Sequence, residues 1–198
     1  KITTLTSLPS SLETLCCSNT QITSLPNLPS GLTKLYCTDT NITTLPDLPE
    51  SLISLVCNET KITNLPNLPS SLVEINCSNT QIICLPTLPN SLREFYCSHT
   101  QITSLPTLPS NLGELDCSNT QIIYLPDLPR ALKHIDCSYT NITFIPQFSG
   151  GLFTLDCSNT KITTLAFASW YRPELNIRTL KYSNTSLLTT VSQIKNVK

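Results

Sequence analysis

The chain has 198 residues, a formal net charge of −1, 13% charged residues, fifteen prolines, four glycines, ten cysteines and no methionine. That balance leaves no basic footprint for nucleic acid. No apolar run approaches the length of a membrane-spanning helix, no leader pattern of basic then apolar residues opens the chain, and no compositional break marks a second globular domain.

The chain opens on Lys1-Ile2. Ile2 already sits at a position that recurs down the chain, so the array is expected to begin inside a unit. Terminal units of a repeat array normally carry a polar cap. Its lack here leads us to expect a longer polypeptide, or another subunit over the open end.

From there a 20-residue period governs residues 1–165. Cysteines recur from Cys17 to Cys157, threonines from Thr20 to Thr160 and isoleucines from Ile22 to Ile162, each in steps of twenty. A fixed period of this length means a solenoid, in which each unit buries its apolar side only against its neighbours. The unit at 81–100 reads QIICLPTLPNSLREFYCSHT. Around Phe95 and Cys97 it alternates inward and outward, as a short strand does. Successive strands then stack in parallel, about 4.8 Å apart. The other half carries Leu-Pro-x-Leu-Pro, as at Leu25-Pro26-Asn27-Leu28-Pro29. Proline lacks an N–H and fixes φ, and it pushes the preceding leucine to extended geometry. The back layer is therefore expected to be extended or polyproline-II, with little or no helix.

From Leu92 to Ile102 the spacing is L-x-x-F-x-C-x-x-T-x-I. It resembles the leucine-rich-repeat signature, with cysteine in place of the third leucine and threonine in place of asparagine. We expect an inward threonine ladder, helped by the adjacent Asn19, Asn79, Asn119 and Asn159. The eight in-register cysteines read as small inward hydrophobes, whereas Cys16 faces outward and Cys84 lies on the other side of its unit. Parallel in-register side chains suit disulfide geometry poorly, and no C-x-x-C pair suggests zinc. Free thiols point to a reducing place of synthesis. Sequons at Asn41, Asn58, Asn76, Asn141 and Asn184 are a by-product of an Asn- and Thr-rich repeat.

Two outward columns vary while the scaffold repeats. One runs Cys16, Tyr36, Val56, Asn76, Tyr96, Asp116, Asp136, Asp156 and Lys181; the other Thr14, Lys34, Ser54, Glu74, Glu94, Glu114, His134, Thr154 and Thr179. We expect them on a concave strand wall. The candidate partner-binding residues are Tyr36, Glu74, Glu94, Tyr96, Glu114, Asp116, His134, Asp136 and Asp156. Three readings of the acidic stripe stand: a solvated surface, a site for a basic protein partner, or a divalent-cation site. No metal ligand set and no cofactor is assigned. His99 and His134 read as isolated and solvent-facing.

After Thr160 the next matching threonine is Thr185, five residues late. Residues 166–198 read as a degenerate ninth repeat and C-terminal cap, with Leu180, Tyr182, Thr185 and Leu187 on the strand template. The segment AFASWYRPELN, 166–176, holds the sole tryptophan. Trp170, Tyr171 and Arg172 either cover the last apolar layer or anchor a partner, being residue types that dominate interface hot spots.

No G-x-S-x-G elbow, P-loop or H-E-x-x-H occurs, so the chain is not expected to be an enzyme. The unit L-P-x-L-P-x-S-L-x-x-L-x-C-S-N-T-x-I-T resembles the leucine-rich repeats of bacterial type III effectors. Its CSNTQIT and CSNTKIT phrases resemble leucine-rich-repeat proteins of giant viruses of amoebae more closely. The resemblance implies protein–protein recognition, in a host cytoplasm or a virion, and no ligase domain is carried over. The first expectation is a binding module with a protein partner on its concave face. The alternatives are a structural component of a larger particle, self-associating through uncapped ends, and the recognition half of a multidomain effector.

Overall fold

The computed structural model describes residues 2–146, 151–163 and 177–186. Its nine strands are three residues each: β1 Thr14–Cys16, β2 Lys34–Tyr36, β3 Ser54–Val56, β4 Glu74–Asn76, β5 Glu94–Tyr96, β6 Glu114–Asp116, β7 His134–Asp136, β8 Thr154–Asp156 and β9 Thr179–Lys181. They form one sheet in sequence order, every pair parallel and in register. Among the described residues no helix forms, and the proline-bearing half of each unit is extended. The second proline's carbonyl accepts an N–H three residues on, as from Leu52 to Pro49 at 3.0 Å, which turns the chain back toward the strand.

The core is one continuous column. Leu35, Cys37, Ile42 and Leu52 are fully buried in one turn, and their counterparts Leu55, Cys57, Ile62 and Leu72 in the next. Removing a leucine or isoleucine side chain from water contributes about 1.5–3 kcal/mol, so each turn is stabilised chiefly by the turn on either side. The ninth strand keeps this register, Asp156 opposite Lys181, although 25 residues rather than twenty separate the two positions. The extra five residues are therefore accommodated between the strands. Within that last turn Leu180 is 9% exposed, whereas Tyr182, at the cysteine position, is exposed. Leu187 and the expected anchor Trp170, Tyr171 and Arg172 lie outside the described residues.

The threonines from Thr40 to Thr160 are buried, as expected, but they do not form a ladder between turns. Each hydroxyl donates to the carbonyl of the cysteine three residues earlier, at 2.7–2.9 Å from Thr20 through Thr160. The hydroxyl at this position is directed back along its own turn and closes it. The neighbouring asparagines do not help inside. Asn19, Asn79, Asn119 and Asn159 hold left-handed backbone, φ 54–59°, where asparagine is tolerated. Tyr139 is forced into the same conformation at φ 55° and is exposed. Bonding between turns falls to other groups. The left-handed residue's N–H reaches the next turn, as Asn79 to Ser98 at 2.9 Å. Ser98 donates to Ser78 at 3.1 Å. Ser51, Ser71 and Ser91 each donate at 2.6 Å to a leucine carbonyl of the previous turn.

Cys37 through Cys157 are fully buried and free, while Cys16 and Cys84 are exposed. Burial pushes the thiols up, Cys17 to about 11 and Cys77 and Cys157 to about 12, so they stay protonated at neutral pH and act as packing groups.

Two outcomes test this arrangement. Thr100→Val keeps the shape but orphans the buried Cys97 carbonyl, and it should lower unfolding stability by about 1–3 kcal/mol in denaturant titration; no change would contradict the closure role. In native protein a thiol reagent should modify Cys16 and Cys84 rapidly. The remaining eight should react at the rate of unfolding, and fast labelling of Cys97 would refute the inward column.

Candidate functional site

A three-residue strand between inward residues displays its first and last side chains. In-register pairing therefore stacks the two expected columns side by side: Glu74, Glu94, Glu114 and His134 in one, Asn76, Tyr96, Asp116, Asp136 and Asp156 in the other. Tyr36 stands in the second column on β2. The structure thus brings all nine expected residues onto one sheet face. A shallow open depression of about 310 Å³ lies across it, from Tyr96 past Asp116, His134 and Asp136 to Asp156 and Lys181.

The acidic residues are not all free in the same way. Tyr96 hydroxyl lies 2.7 Å from Glu114 Oε2 and 3.3 Å from Glu94 Oε2, tying two neighbouring turns at one end of the depression. Burial and these carboxylates push its phenol well above the usual range. Ser54 donates to Glu74 at 2.7 Å. Each aspartate commits one oxygen to its own turn. Asp116 Oδ1 accepts the Ser118 N–H at 3.0 Å and its hydroxyl at 2.7 Å, Asp136 Oδ1 accepts the same pair from Ser138 at 2.9 and 2.6 Å, and Asp156 Oδ1 accepts the Ser158 N–H at 3.0 Å. These are Asx-type turns. Asn76 makes the same bond to Ser78 at 3.1 Å without a charge. The D-C-S and N-C-S triplets carried this signal in the sequence.

Asp156 pairs with Lys181 at 3.2 Å. Among the described residues no cation stands within ion-pair distance of Asp116 or Asp136. Burial, together with the Asp156 and Asp116 charges, raises the Asp136 carboxyl above its ordinary value, against the lowering effect of Ser138. His134 is not isolated: its Nδ1 lies 2.8 Å from Thr154 Oγ1, and its ring meets Phe153 edge-on at 6.1 Å. His99 is exposed, at left-handed φ. No group of three or more acidic, histidine or cysteine side chains is arranged to hold a metal ion among the described residues.

The sequence reading missed a third outward column. Two residues, not one, separate the inward leucines of L-x-x-L, and both face out. Ahead of the strands run Glu13, Thr33, Ile53, Val73, Arg93, Gly113, Lys133, Phe153 and Arg178, linked turn to turn by backbone hydrogen bonds. Phe153 lies between Lys133, at 5.3 Å from its centroid, and Arg178, at 4.9 Å. The acidic region thus has a basic border on one side.

The family described as Leucine Rich repeats (2 copies) matches residues 10–50. No curated protein matches the chain. Among solved structures, YopM from Yersinia enterocolitica WA-314 superposes with a TM-score of 0.65 at 26% identity, over 93% of this chain and 49% of that one. A Shigella effector LRR domain gives 0.63 at 25% identity, over 90% and 71%. The functional domain of InlJ from Listeria monocytogenes, described as including a cysteine ladder, gives 0.59 at 25% identity, over 90% and 50%. The chain spans about half the length of the YopM and InlJ chains. Its fold is a leucine-rich-repeat solenoid.

The raised Asp136 carboxyl gives a prediction with a definite sign. Its folded-state value lies above the unfolded one, so ionisation costs stability above the folded value, and that cost vanishes as pH falls below the unfolded value. Asp136→Asn keeps the turn, as Asn76 does. It should therefore match wild type near pH 3 and exceed it at neutral pH in denaturant unfolding; a variant less stable at neutral pH would refute the assignment.

Proposed function

We propose that this leucine-rich-repeat solenoid is a non-enzymatic recognition module that docks a basic protein partner on its concave strand wall. The observation that carries the reading is the pair Asp116 and Asp136. They stand in adjacent turns, each with one oxygen fixed by a serine and no cation opposite among the described residues. Like charges at adjacent in-register positions repel, and an incoming cation relieves that cost. Lys181 against Asp156 shows the contact within the chain itself. The structural neighbours include a Shigella effector domain and YopM, and leucine-rich repeats typically serve protein–protein interaction, which supports the reading. Eight protonated buried thiols fit synthesis in a reducing compartment, a host cytoplasm or a virion's site of assembly. The aspartates' structural duty also explains why the wall carries charge without losing its fold.

The test uses an oligolysine peptide as probe. Asp116→Asn with Asp136→Asn should lower its affinity about tenfold at physiological salt, the loss expected for about 1.4 kcal/mol, and flatten the salt dependence. Asp47→Asn with Asp127→Asn, both exposed in the proline-bearing layer, should change neither. Equal losses in the two pairs would remove the strand wall from the account.

A further inference from the structure

The strand wall changes character along its length. Around β3 it carries a small apolar group set among the polar Thr33, Lys34, Ser54, Glu74 and Asn76. Tyr36 and Val56 stand in the column at the strand ends, and Ile53 and Val73 in the column ahead of the strands, with Ile53 44% exposed. Ser54 faces outward between Ile53 and Val56 yet is only 5% exposed. Its hydroxyl holds Glu74 at 2.7 Å, where the apolar stretch meets the acidic one. Over β5–β8 the wall carries Glu94, Glu114, Asp116, Asp136 and Asp156.

Granting the protein-recognition reading above, we infer that the wall takes a single partner segment with two chemistries in series, an apolar stretch around β3 followed by a lysine- or arginine-bearing stretch on β5–β8. The unbroken register keeps both regions on one surface with no step between them. From β2 to β8 is about 29 Å at roughly 4.8 Å per strand, which an extended run of about nine residues spans. The far apolar residue, Phe153, does not extend the apolar region, because the Lys133 and Arg178 cations both stand over its ring. Those two cations border the acidic region on one side and repel a basic segment toward the aspartate column. A purely basic ligand would leave the Ile53 patch in water, and a purely apolar one would bury Asp116 and Asp136 unpaired. Charge complementarity at one end and apolar burial at the other thus select the same occupant.

The experiment uses two synthetic peptides of identical composition, long enough to reach from β2 to β8. One places leucines in one half and lysines in the other, and its counterpart interleaves them. Binding is read by fluorescence anisotropy at physiological and raised salt. The segregated peptide should bind about tenfold tighter than the interleaved one, as expected from burying one large aliphatic side chain. Ile53→Ser should abolish that advantage while leaving the salt dependence, and Val56→Ser, on the other column, should do the same. Both positions are outward, so circular dichroism should show unchanged folding. Equal affinities of the two peptides, or full retention of the advantage in both serine variants, overturns this inference. In either case a salt-dependent loss in the asparagine pair leaves acidic-wall docking standing, whereas failure of both peptides and of oligolysine ends that reading as well.

Discussion

Each turn of this chain has one place to hide its oily side, and that is the turn beside it. Leu35, Cys37, Ile42 and Leu52 reach full burial only because Leu55, Cys57, Ile62 and Leu72 lie in register against them. Register is therefore the quantity under strictest control. A slip of one residue along a strand would turn the inward set out. The 25-residue spacing into the ninth turn shows the same control, since Lys181 still falls opposite Asp156 and the surplus is taken up elsewhere.

Closure of the individual turn is a separate problem with a separate solution. The threonine hydroxyl satisfies a carbonyl three residues back in its own turn, and the left-handed residue before it sends its N–H to the next turn. Serines at two further positions complete the links between turns. Buried side-chain nitrogen and oxygen atoms all have a hydrogen-bond partner among the described residues. No asparagine ladder is needed, because its work is divided between a local bond and these several cross-turn bonds.

Scaffold and surface are not independent on the strand wall. Asp116 and Asp136 each use one oxygen to hold a turn and present the other on the sheet face. Asn76 performs the structural half of that work without charge. The charge itself is thus not required by the fold. The opposite holds for Tyr96, whose hydroxyl ties Glu94 and Glu114 together and makes those carboxylates partly structural.

The fold was legible because a 20-residue period, alternation around Phe95 and paired prolines are all local signals that agree with one another. The same pattern placed Tyr36, Tyr96, Asp116 and Asp136 on one face, since register follows from the period. What it did not give was the direction of each polar hydrogen bond. Thr100 could bond along its own turn or across to the next, and only the direction its side chain takes in the folded coil decides between them. Nor did it give the third column or the company of His134, because L-x-x-L read as simple alternation hides one outward residue, and the Lys133–Phe153–Arg178 stack joins residues of three different turns. Sequence by itself determined which residues face in and which repeat. Tertiary structure alone decided which polar atoms meet across turns, because a distance between two coils is not a property of either coil.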